Sequence, residues 1–475
     1  MSPPGSPQHA AGAAATSLPQ TEGRDVVQRL RRSYESGRTR SLSWRREQLE
    51  GLKRMVQERE EEILTALAAD LGKPHFEGYA AEVAYIAQDV THALRHLDSW
   101  MKPQRVRTPI MTQPGTCRIV PEPLGVVLII GPWNYPFSLV MSPLVGALAA
   151  GNCALVKPSE IAPETSALIA SRLPDYVDDS CIQVVEGGVP ETTDLLEQHW
   201  DHIFYTGNGQ VGRIVMTAAA KHLTPVTLEL GGKSPCIIHR DANLTVAARR
   251  IAWGKWTNAG QTCVAPDYLL VHQDVHDAFL EELRATVRRF WGDEPQRSED
   301  YGRIVNARHF GRVMKLMDSG DVLMGGQADE DDRYIAPTLL VNVPPDAPVM
   351  QEEIFGPILP VLQVEDVDEA IRFINERDKP LALYLFARDE QVQQQVIART
   401  SSGGMTINHA WVHLTVRDLP FGGVGESGMG CYHGKASFDT FTHHKSVLVK
   451  TPGIDPPLLY PPYSRTKEKL LKRLL

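Results

Sequence analysis

The feature that most constrains the fold is an alternation of short apolar runs and helical patterns that starts near Cys117. Strands that alternate with helices are joined by crossover connections, so they lie parallel in one sheet with helices on its faces. The strands predicted for this series are 125–130, 154–157, 182–185, 202–205 and 224–229. The predicted helices are 143–150, 162–171 and 211–220. The sequence therefore predicts an α/β fold in which ligands bind at the carboxyl ends of the strands.

A second alternating series predicts a second α/β lobe with its own sheet. Its strands are predicted at 235–238, 268–271, 339–343 and 361–363. Its helices are predicted at 244–256, 275–291 and 367–377. Residues 24–103 have helical spacing instead, broken at Gly72-Lys73-Pro74, because glycine and proline end helices. With 475 residues the chain is long enough for more than one lobe, since a single core stops growing at roughly 250–300 residues.

Charge and hydropathy exclude several classes of protein. The net charge of -9 argues against nucleic-acid binding, which needs a basic face for phosphates. The most apolar stretches, 124–130 and 139–150, are shorter than the roughly 20 residues of a membrane-spanning helix. Residues 1–20 lack the pattern of a secretory signal and are predicted to be a disordered leader. We therefore expect a cytoplasmic protein without an integral membrane segment.

The cysteines point to a reactive thiol rather than to a metal site. None of the six lies in a C-x-x-C pair or in zinc-finger spacing, so no metal is predicted. Cys263 follows Asn-Ala-Gly-Gln-Thr, whose small residues permit a tight turn in which a thiol and a backbone N–H face one ligand. A thiol has a pKa of about 8.5, so a nucleophilic Cys263 is expected in an electropositive, partly open environment. A buried structural thiol is the alternative.

Two further segments place polar groups at predicted strand ends. Residues 132–136 (PWNYP) follow the strand at 125–130, so this rigid loop lies where ligands bind, although a turn that only packs is the alternative. Glu229 ends the strand at 224–229 and precedes Leu-Gly-Gly-Lys. A carboxylate there can act as a general base for water if partial burial raises its pKa. A solvated acid at the strand end is the alternative.

A glycine-rich segment and a lysine are candidates for cofactor binding. Residues 207–212 (GNGQVG) formally match the G-x-G-x-x-G fingerprint, with Glu229 at about the distance of the ribose-binding acid. We expect that match to mislead, because Glu229 has a use within its own motif. Gly207 and Gly212 more plausibly let the loop and helix start approach a pyrophosphate. Lys157, with Glu160, is a candidate for holding ribose hydroxyls or a phosphate, and a lone surface lysine is the alternative.

Together these segments resemble the aldehyde dehydrogenase superfamily. The resemblance runs from about Arg24 to about Val449 and rests on motifs in the family's order and spacing, namely PWNYP (132–136), ELGGK (229–233), GQTC (260–263) and EEIFGP (352–357). Residues 258–268, 420–425 and 432–435 are similar to the class 3 branch in particular. Gly209 stands where the family more often has Thr or Ser, and residues 408–410 also differ from class 3 relatives.

The resemblance implies a reaction and roles for three residues. Cys263 would attack an aldehyde to form a thiohemiacetal, and the Asn134 amide with the Cys263 backbone N–H would stabilise the oxyanion. Hydride transfer to a nicotinamide dinucleotide would leave a thioester, which water activated by Glu229 would hydrolyse. The substrates implied are aromatic or medium- to long-chain aliphatic aldehydes, and the products are carboxylic acids.

The resemblance also implies how the cofactor and substrate bind. Lys157 and Glu160 would contact the adenosine ribose, Gly207 and Gly212 would border the pyrophosphate, and Glu353 and Phe355 would position the nicotinamide ribose and ring. NAD is the expected cofactor and NADP the alternative, because an acid at position 160 disfavours a 2′-phosphate. Tyr135 and His433 are candidates for the substrate pocket.

The architecture implied is a parallel-sheet cofactor lobe, an α/β catalytic lobe and a small bridging arm that makes a homodimer. The predicted parts are an NAD(P)-binding domain (21–103 and 125–229), a catalytic domain (230–418), bridging elements (104–124 and 419–450) and a tail (451–475). The basic end of the tail, 467–475, is predicted as a short surface helix, with contact to a membrane surface as the alternative.

Two other functions remain open at this point. An acyl-transferring or reductive relative would pass the thioester to coenzyme A or approach it from the acid, but a deacylating base such as Glu229 has little use there. A non-catalytic binding or structural role on the same fold is the other alternative. The combination of Cys263, Asn134 and Glu229 argues against it.

Overall fold

The structure is a computed structural model that describes residues 21–455 and 457–474. The predicted leader at residues 1–20 lies outside the described residues. The described chain forms two mostly parallel sheets covered by helices, a smaller antiparallel sheet and a two-stranded ribbon. The predicted α/β class is therefore confirmed.

The secondary-structure elements are numbered in chain order. The helices are α1 (Thr21–Glu35), α2 (Leu42–Glu58), α3 (Glu60–Leu71), α4 (His75–Gly78), α5 (Ala84–Trp100), α6 (Ser138–Ala150), α7 (Pro163–Arg172), α8 (Val189–Leu196), α9 (Gly209–Ala220), α10 (Leu244–Trp256), α11 (His276–Trp291), α12 (Ala307–Leu316), α13 (Pro348–Gln351), α14 (Val367–Asn375), α15 (Glu390–Arg399), α16 (Gly434–Thr440) and α17 (Arg465–Leu474). The strands are β1 (Gln104–Val106), β2 (Gly115–Pro123), β3 (Val126–Ile130), β4 (Cys153–Lys157), β5 (Ile182–Val184), β6 (His202–Thr206), β7 (Val226–Glu229), β8 (Pro235–Ile238), β9 (Tyr268–His272), β10 (Asp321–Met324), β11 (Ala328–Asp329), β12 (Tyr334–Ile335), β13 (Thr338–Val341), β14 (Ile358–Val364), β15 (Ala382–Phe386), β16 (Gly404–Ile407), β17 (Gly428–Met429) and β18 (Thr442–Lys450).

The amino-terminal segment is helical, as its apolar spacing predicts. In α2, Leu49, Leu52 and Met55 share a face and are buried. α3 ends at Gly72, which has a φ of 58° and donates its backbone N–H to Ala68 O at 2.8 Å. The predicted break at this glycine is confirmed. Beyond it, a π-helical turn at Tyr79–Val83 joins α4 to α5.

The first sheet brings the predicted functional strand ends together. Its strand order is β17-β7-β6-β3-β4-β5, and all neighbours are parallel except β17, which is antiparallel to β7. Ile130 at the end of β3 aligns with Lys157 in β4 and with Tyr205 in β6, and Thr206 aligns with Glu229 in β7. The carboxyl ends of four strands therefore meet at one edge of the sheet.

The second lobe and the bridging arm have sheets of their own. The second sheet has the order β10-β13-β14-β9-β8-β15-β16, with only β10 antiparallel to its neighbour. The third sheet is antiparallel, with the order β1-β2-β18, and β18 pairs with β2 from Thr442 opposite Pro123 to Lys450 opposite Gly115. The predicted second α/β lobe is confirmed.

The helix after β3 begins earlier than the sequence predicts. The predicted helix starts at Pro143, but α6 begins at Ser138 and contains Pro143 in its interior, although proline is favoured in the first turn of a helix. Two observations explain the difference. Oε2 of Glu82 accepts the backbone N–H groups of Phe137 and Ser138 at 3.0 and 2.9 Å, which fixes the start. Nearly all of α6 is buried, so its packing offsets the interior proline, which costs about 3 kcal/mol.

The predicted helix in the basic tail is confirmed as α17, which has no buried residue. No helix within residues 21–455 and 457–474 is long and apolar enough to cross a membrane. In the same part of the chain, no group of three or more His, Cys, Asp and Glu side chains is arranged to hold a metal ion.

Candidate active site

The turn before Cys263 has an unusual backbone. Asn258, Ala259 and Gly260 have consecutive positive φ angles of 54°, 51° and 77°, in the left-handed region that is costly for residues with a Cβ. At the third position glycine is required, because a Cβ there would lie 2.2 Å from the carbonyl oxygen of Gly356. The predicted tight turn is thus present, and the partly exposed Cys263 lies just beyond it.

The side chain of Gln261 holds the turn in this shape. Its Nε2 donates to the carbonyl oxygens of Asn258 at 3.0 Å and Arg303 at 2.8 Å. Its Oε1 accepts the backbone N–H of Val305 at 2.9 Å. A fully hydrogen-bonded buried amide of this kind is rigid, so the position of Cys263 is fixed by the packed interior on one side.

Asn134 lies against the same turn from the loop after β3. Its Nδ2 donates to Gln261 O at 3.0 Å, and its own carbonyl accepts Nδ2 of Asn258 at 2.9 Å. The side chain is buried. The Nδ2 atom of Asn134 carries two hydrogens. Its hydrogen bond to Gln261 O uses one of them. The other can donate to a group bound beside Cys263.

The Cys263 thiol lies in an acidic environment. Burial raises the pKa of this thiol, and the nearby carboxyl groups of Glu353 and Glu229 raise the pKa further. The backbone N–H groups of Cys263 and Val264 oppose that shift. The expectation of electropositive surroundings is therefore wrong, because the local motif does not reveal which charges distant segments bring to the thiol. In this setting the thiol is protonated at neutral pH and needs a base when it attacks.

Glu229, at the end of β7, is a buried acid whose carboxyl lacks hydrogen bonds. It is 2% exposed, and neither carboxyl oxygen has a hydrogen-bond partner among the described residues. Burial raises the pKa of this carboxyl well above its usual range. The alternative of a solvated acid is wrong, and burial is more complete than predicted because β17 pairs with β7, placing Gly428 opposite Glu229. A buried acid without a partner is energetically costly, so it indicates a functional site.

A groove of about 940 Å³ adjoins these strand ends. Its lining includes Asn208, Gly209, Gly231, Gly232, Lys233 and Glu353. The N-terminus of α9 begins at Gly209, and backbone N–H groups at a helix start attract phosphate. Gly207 and Gly212 border this loop, where a Cβ would lie 2.2 Å from Tyr205 Oη and 2.9 Å from Leu230 Cδ2, respectively. The groove therefore has the glycine-lined backbone and the helix start that a pyrophosphate needs.

Lys157 and Glu160 lie at the end of β4. Lys157 is buried, and its Nζ donates to Pro158 O at 2.8 Å and to Glu160 Oε2 at 3.3 Å. Burial lowers the pKa of Lys157, and Glu160 opposes that shift. The alternative of a lone surface lysine is therefore wrong. The pair presents one cation and one acid at the edge where the strands end.

Glu353 and Phe355 occupy the loop before β14. The Glu353 carboxyl lies so close to Gly231 that a Cβ on this glycine would be 1.9 Å from Oε2. Burial, and then the charge of Asp267, raise the pKa of Glu353 to about 8. Phe355 has a φ of 46°, and its ring contacts Trp133 edge-on with centroids 5.2 Å apart. The structure thus brings Phe355 to the loop that contains Asn134, and Glu353 to the Leu-Gly-Gly-Lys segment after Glu229.

The two candidates for the substrate pocket are both buried. The hydroxyl of Tyr135 is 2.8 Å from Thr262 Oγ1, and its ring centroid is 4.1 Å from Lys73 Nζ. Nε2 of His433 is 2.8 Å from the hydroxyl of Tyr85. Tyr135 therefore contacts the residue before Cys263, whereas the hydrogen bond of His433 is to α5.

Sequence reasoning missed the buried ion pair of Lys73 and Glu82. Lys73 Nζ donates to Glu82 Oε1 at 2.5 Å and to Asn134 O at 3.1 Å, and both side chains are fully buried. Together with the contacts of Glu82 to Phe137 and Ser138, the pair holds the middle and the carboxyl end of the loop that contains Asn134. The available signal was a lysine inside the Gly72–Pro74 break, which we interpreted only as a helix end.

Lys233 was also missed, although it closes the ELGGK motif. It forms an ion pair with Asp267 and donates to Glu352 O at 2.9 Å. Asp267 in turn accepts the backbone N–H of Ile354 at 3.1 Å. These contacts fix the loop that carries Glu353. A lysine at the end of a motif gave a signal, but its partners come from segments that are distant in sequence.

The chain is similar to known proteins in both sequence and structure. The model of the aldehyde dehydrogenase family matches residues 8–447. The dimeric NADP-preferring aldehyde dehydrogenase of Rattus norvegicus is 53% identical over 427 residues, which cover 90% of this chain and 94% of that protein. Aldehyde dehydrogenase family 3 member B1 of Homo sapiens is 53% identical over 449 residues, which cover 94% of this chain and 96% of that protein. The substrate-bound structure of Staphylococcus aureus AldH has a TM-score of 0.93 at 47% identity and covers 95% of this chain and 98% of its own.

We expect Glu353→Gln to increase the rate at which iodoacetamide alkylates Cys263 by roughly threefold or more at about pH 9. The reason is that the substitution removes the larger of the two nearby charges that raise the pKa of the thiol. The rate is measured by peptide mass spectrometry, with Cys117 and Cys431 as internal references. Glu352→Gln, which changes an exposed neighbouring acid, should leave the rate unchanged. An unchanged or slower rate in Glu353→Gln would contradict this electrostatic assignment.

Proposed function

The chain belongs to the aldehyde dehydrogenase family and catalyses NAD(P)-dependent oxidation of aldehydes to carboxylic acids, and we propose that Cys263, Asn134 and Glu229 carry out the chemistry. One observation supports these roles above all. The thiol of Cys263 follows a strained turn, and the Asn134 amide is hydrogen-bonded to that turn. The charge of the Glu229 carboxyl, which is buried without a hydrogen-bond partner among the described residues, raises the pKa of the thiol. The relatives of family 3 agree with the predicted class 3 branch.

In the first half-reaction, Sγ of Cys263 attacks the aldehyde carbon and forms a thiohemiacetal. The thiol proton passes to a water molecule as the bond forms, so Glu229 remains available as a base for the second half-reaction. Negative charge develops on the former carbonyl oxygen, and the second N–H of Asn134 and the backbone N–H of Cys263 donate to it. Each donor of this kind contributes about 3 kcal/mol to stabilisation of the transition state.

The groove beside these residues fits a nicotinamide dinucleotide, because a helix start, glycine-lined backbone and the partly buried Lys233 lie along it. When bound, the cofactor supplies an acceptor for the hydride that leaves the thiohemiacetal carbon. The residues proposed to hold it are Lys157 and Glu160 at the adenosine ribose, Gly207 and Gly212 at the pyrophosphate, and Glu353 and Phe355 at the nicotinamide ribose and ring.

In the second half-reaction, Glu229 activates water to hydrolyse the thioester. Its carboxylate takes a proton from water, the oxygen attacks the thioester carbon, and the bond to Sγ breaks to release the acid. The raised pKa of Glu229 suits this step, since a carboxylate is a stronger base when its pKa is higher. Such a base also favours hydrolysis over transfer of the acyl group to coenzyme A.

We expect Glu229→Gln to release about one equivalent of reduced cofactor per active site and then to stall, because thioester formation continues while hydrolysis lacks its base. Stopped-flow absorbance of the reduced nicotinamide measures this burst. In the wild type the steady-state rate should rise with pH, because the carboxylate of Glu229 exists only above its raised pKa. Glu197→Gln, an exposed acid, is the matched control. Loss of the burst itself would mean that Glu229 acts before hydride transfer.

We propose aromatic and medium- to long-chain aliphatic aldehydes as substrates. Tyr135, Tyr384 and Tyr432 lie near enough to Cys263 for its charge to raise the pKa of each hydroxyl. Aromatic side chains present large apolar ring surfaces. Apolar groups attached to the aldehyde carbon would therefore pack well beside the nucleophile, with Tyr135 and, farther along, His433 contributing to the pocket.

We propose NAD as the preferred cofactor and NADP as a second one. The contact between Lys157 and Glu160 supports this order, because the cation that would bind a 2′-phosphate is already paired with an acid. Acceptance of NADP has support in the Rattus norvegicus relative, which is named NADP-preferring.

We expect Glu160→Gln to raise the ratio of kcat/KM for NADP to that for NAD about 3- to 10-fold, since it removes a charge that repels the 2′-phosphate. Steady-state kinetics with each cofactor at one saturating aldehyde concentration measure the ratio. The exposed Glu164 on α7 provides the matched control as Glu164→Gln. A ratio that stays constant or falls would contradict a role for Glu160 in cofactor choice.

We propose that the chain forms a homodimer through the arm sheet. The outer edge of β18 pairs with no other strand among the described residues, and Leu448 and Val449 are 48% and 49% exposed. A long exposed edge strand is a template for pairing with a second chain. The Rattus norvegicus relative, which is named dimeric, also supports this assembly.

Sedimentation should give twice the chain mass of 52.7 kDa for the wild type. The double variant Leu448→Lys and Val449→Lys should shift toward the monomer, because charge on an edge strand opposes pairing. Val106→Lys, on the opposite edge of the same sheet, is the control. A wild type that sediments as a monomer at micromolar concentration would contradict the proposal.

We also propose the predicted division into an NAD(P)-binding domain (21–103 and 125–229), a catalytic domain (230–418), bridging elements (104–124 and 419–450) and a tail (451–475). The separate sheets support it, since the first lies mainly within 126–229, the second within 235–407 and the third within 104–123 and 442–450. A cytoplasmic location is proposed as well. All six cysteines are free, which suits a reducing compartment, and cell fractionation would test it.

A further inference from the structure

The nucleophile turn is held from outside by a carboxylate that the mechanism does not use. The backbone N–H of Asn258 donates to Oε2 of Glu77 at 2.9 Å. Glu77 lies on α4, far from the turn in sequence. The N–H belongs to the first of three residues with left-handed backbone, where no regular helix or strand partner is provided. An acceptor from another segment therefore fills this place.

Residues near Glu77 in sequence also contact the loop that contains Asn134. Lys73 Nζ donates to the carbonyl of Asn134, which Asn258 Nδ2 also contacts. Glu82, beyond the π-helical turn, accepts the two backbone N–H groups that begin α6. Residues 73–82 therefore contact both the turn before Cys263 and the loop with Asn134. Movement of this segment would change the distance between nucleophile and oxyanion donor.

The anchor matters because the turn is strained. Two of its non-glycine residues, Asn258 and Ala259, have positive φ, a conformation that is unfavourable for residues with a Cβ. Such a conformation persists only when its surroundings hold it. Inside the turn, the side chain of Gln261 holds this conformation by donating to Asn258 O. Oδ1 of Asn258 is buried and has no hydrogen-bond partner among the described residues. The hydrogen bond to Glu77 is the contact that holds the turn from the amino-terminal segment.

We propose that Glu77 is a positioning residue for the aldehyde oxidation, whose carboxylate fixes the Asn258 N–H and so sets Cys263 against Asn134. This inference rests on the proposed roles of those two residues and deepens them. Glu77 itself touches neither the thiol nor the groove, so it acts through the turn.

The strength of the anchor depends on the charge of Glu77. Burial raises the pKa of this carboxyl to about 7, against the opposing effects of the Asn258 N–H and Lys73 and with a smaller raising effect from Asp300. Of the other titratable groups nearby, Tyr135 and Tyr301 stay neutral, because their pKa values are also raised. The carboxylate is present above about pH 7 and is lost as the pH falls through that value. A hydrogen bond to a carboxylate is roughly twice as strong as one to a neutral acceptor.

The test uses Glu77→Ala and Glu77→Gln in the full chain, with Glu61→Ala and Glu61→Gln as matched controls on the exposed side of α3. We expect Glu77→Ala to lower kcat about 10- to 100-fold with little change in the KM for cofactor, as for a small displacement of a reacting group. Glu77→Gln keeps an acceptor and is always neutral. It should match the wild type at about pH 6 and fall severalfold below it at about pH 8, on either side of the pKa of Glu77.

Hydrogen exchange tests the anchor without relying on the reaction. In peptides that cover residues 257–262, the Asn258 amide should exchange about tenfold faster in Glu77→Ala than in the wild type or in Glu61→Ala. If the wild type reduces no cofactor but this exchange difference holds, the proposed function fails while the anchor stands. Unchanged exchange, or a ratio of Glu77→Gln to wild-type activity that does not vary with pH, would overturn the inference.

Discussion

The hydrogen bonds that join the Asn258–Gln261 turn to the loop with Asn134 are the contacts on which the site depends. The side chain of Asn134 donates to Gln261 O, and the side chain of Asn258 donates to Asn134 O, so two hydrogen bonds link the turn before Cys263 to the loop with Asn134. The turn could not keep three left-handed residues by itself. The interior holds it through Gln261, and the segment at 73–82 holds the loop through Lys73 and Glu82. The proposed catalytic geometry therefore depends on packed, buried contacts.

The electrostatics of the site follow from the same burial. The thiol of Cys263 and the carboxyls of Glu229 and Glu353 are all nearer their neutral forms than in water, because burial penalises charge. A site of this kind does not hold a permanent thiolate. It instead keeps acids whose pKa values are raised, which makes their carboxylates stronger bases. Loss of the thiol proton during the attack, rather than a fixed positive field, would then generate the nucleophile.

Much of the fold and of the candidate site could be predicted from the sequence. The features that could not be predicted depend on contacts between segments that are distant in sequence. Alternation of strands and helices predicted both parallel sheets, and it placed Glu229, Lys157 and Asn134 at or after strand ends, where ligands bind. The register of β3, β4, β6 and β7 brings those strand ends to one edge of the sheet. The acidic surroundings of Cys263 were not predictable locally, since Glu353 comes from the loop before β14, which is distant in sequence. Nor was the start of α6, which the distant Glu82 determines against the usual preference of Pro143.

The most direct test of the central claim is the absorbance of reduced nicotinamide in the purified wild type and in Cys263→Ala, with NAD, a panel of aldehydes and no coenzyme A. Cofactor binding to both proteins is checked first by fluorescence. If Cys263 is the nucleophile, the wild type reduces NAD continuously in the presence of an aldehyde, and the variant binds NAD but reduces none. Substantial aldehyde-dependent reduction by Cys263→Ala would contradict the assignment of the nucleophile and the mechanism built on it.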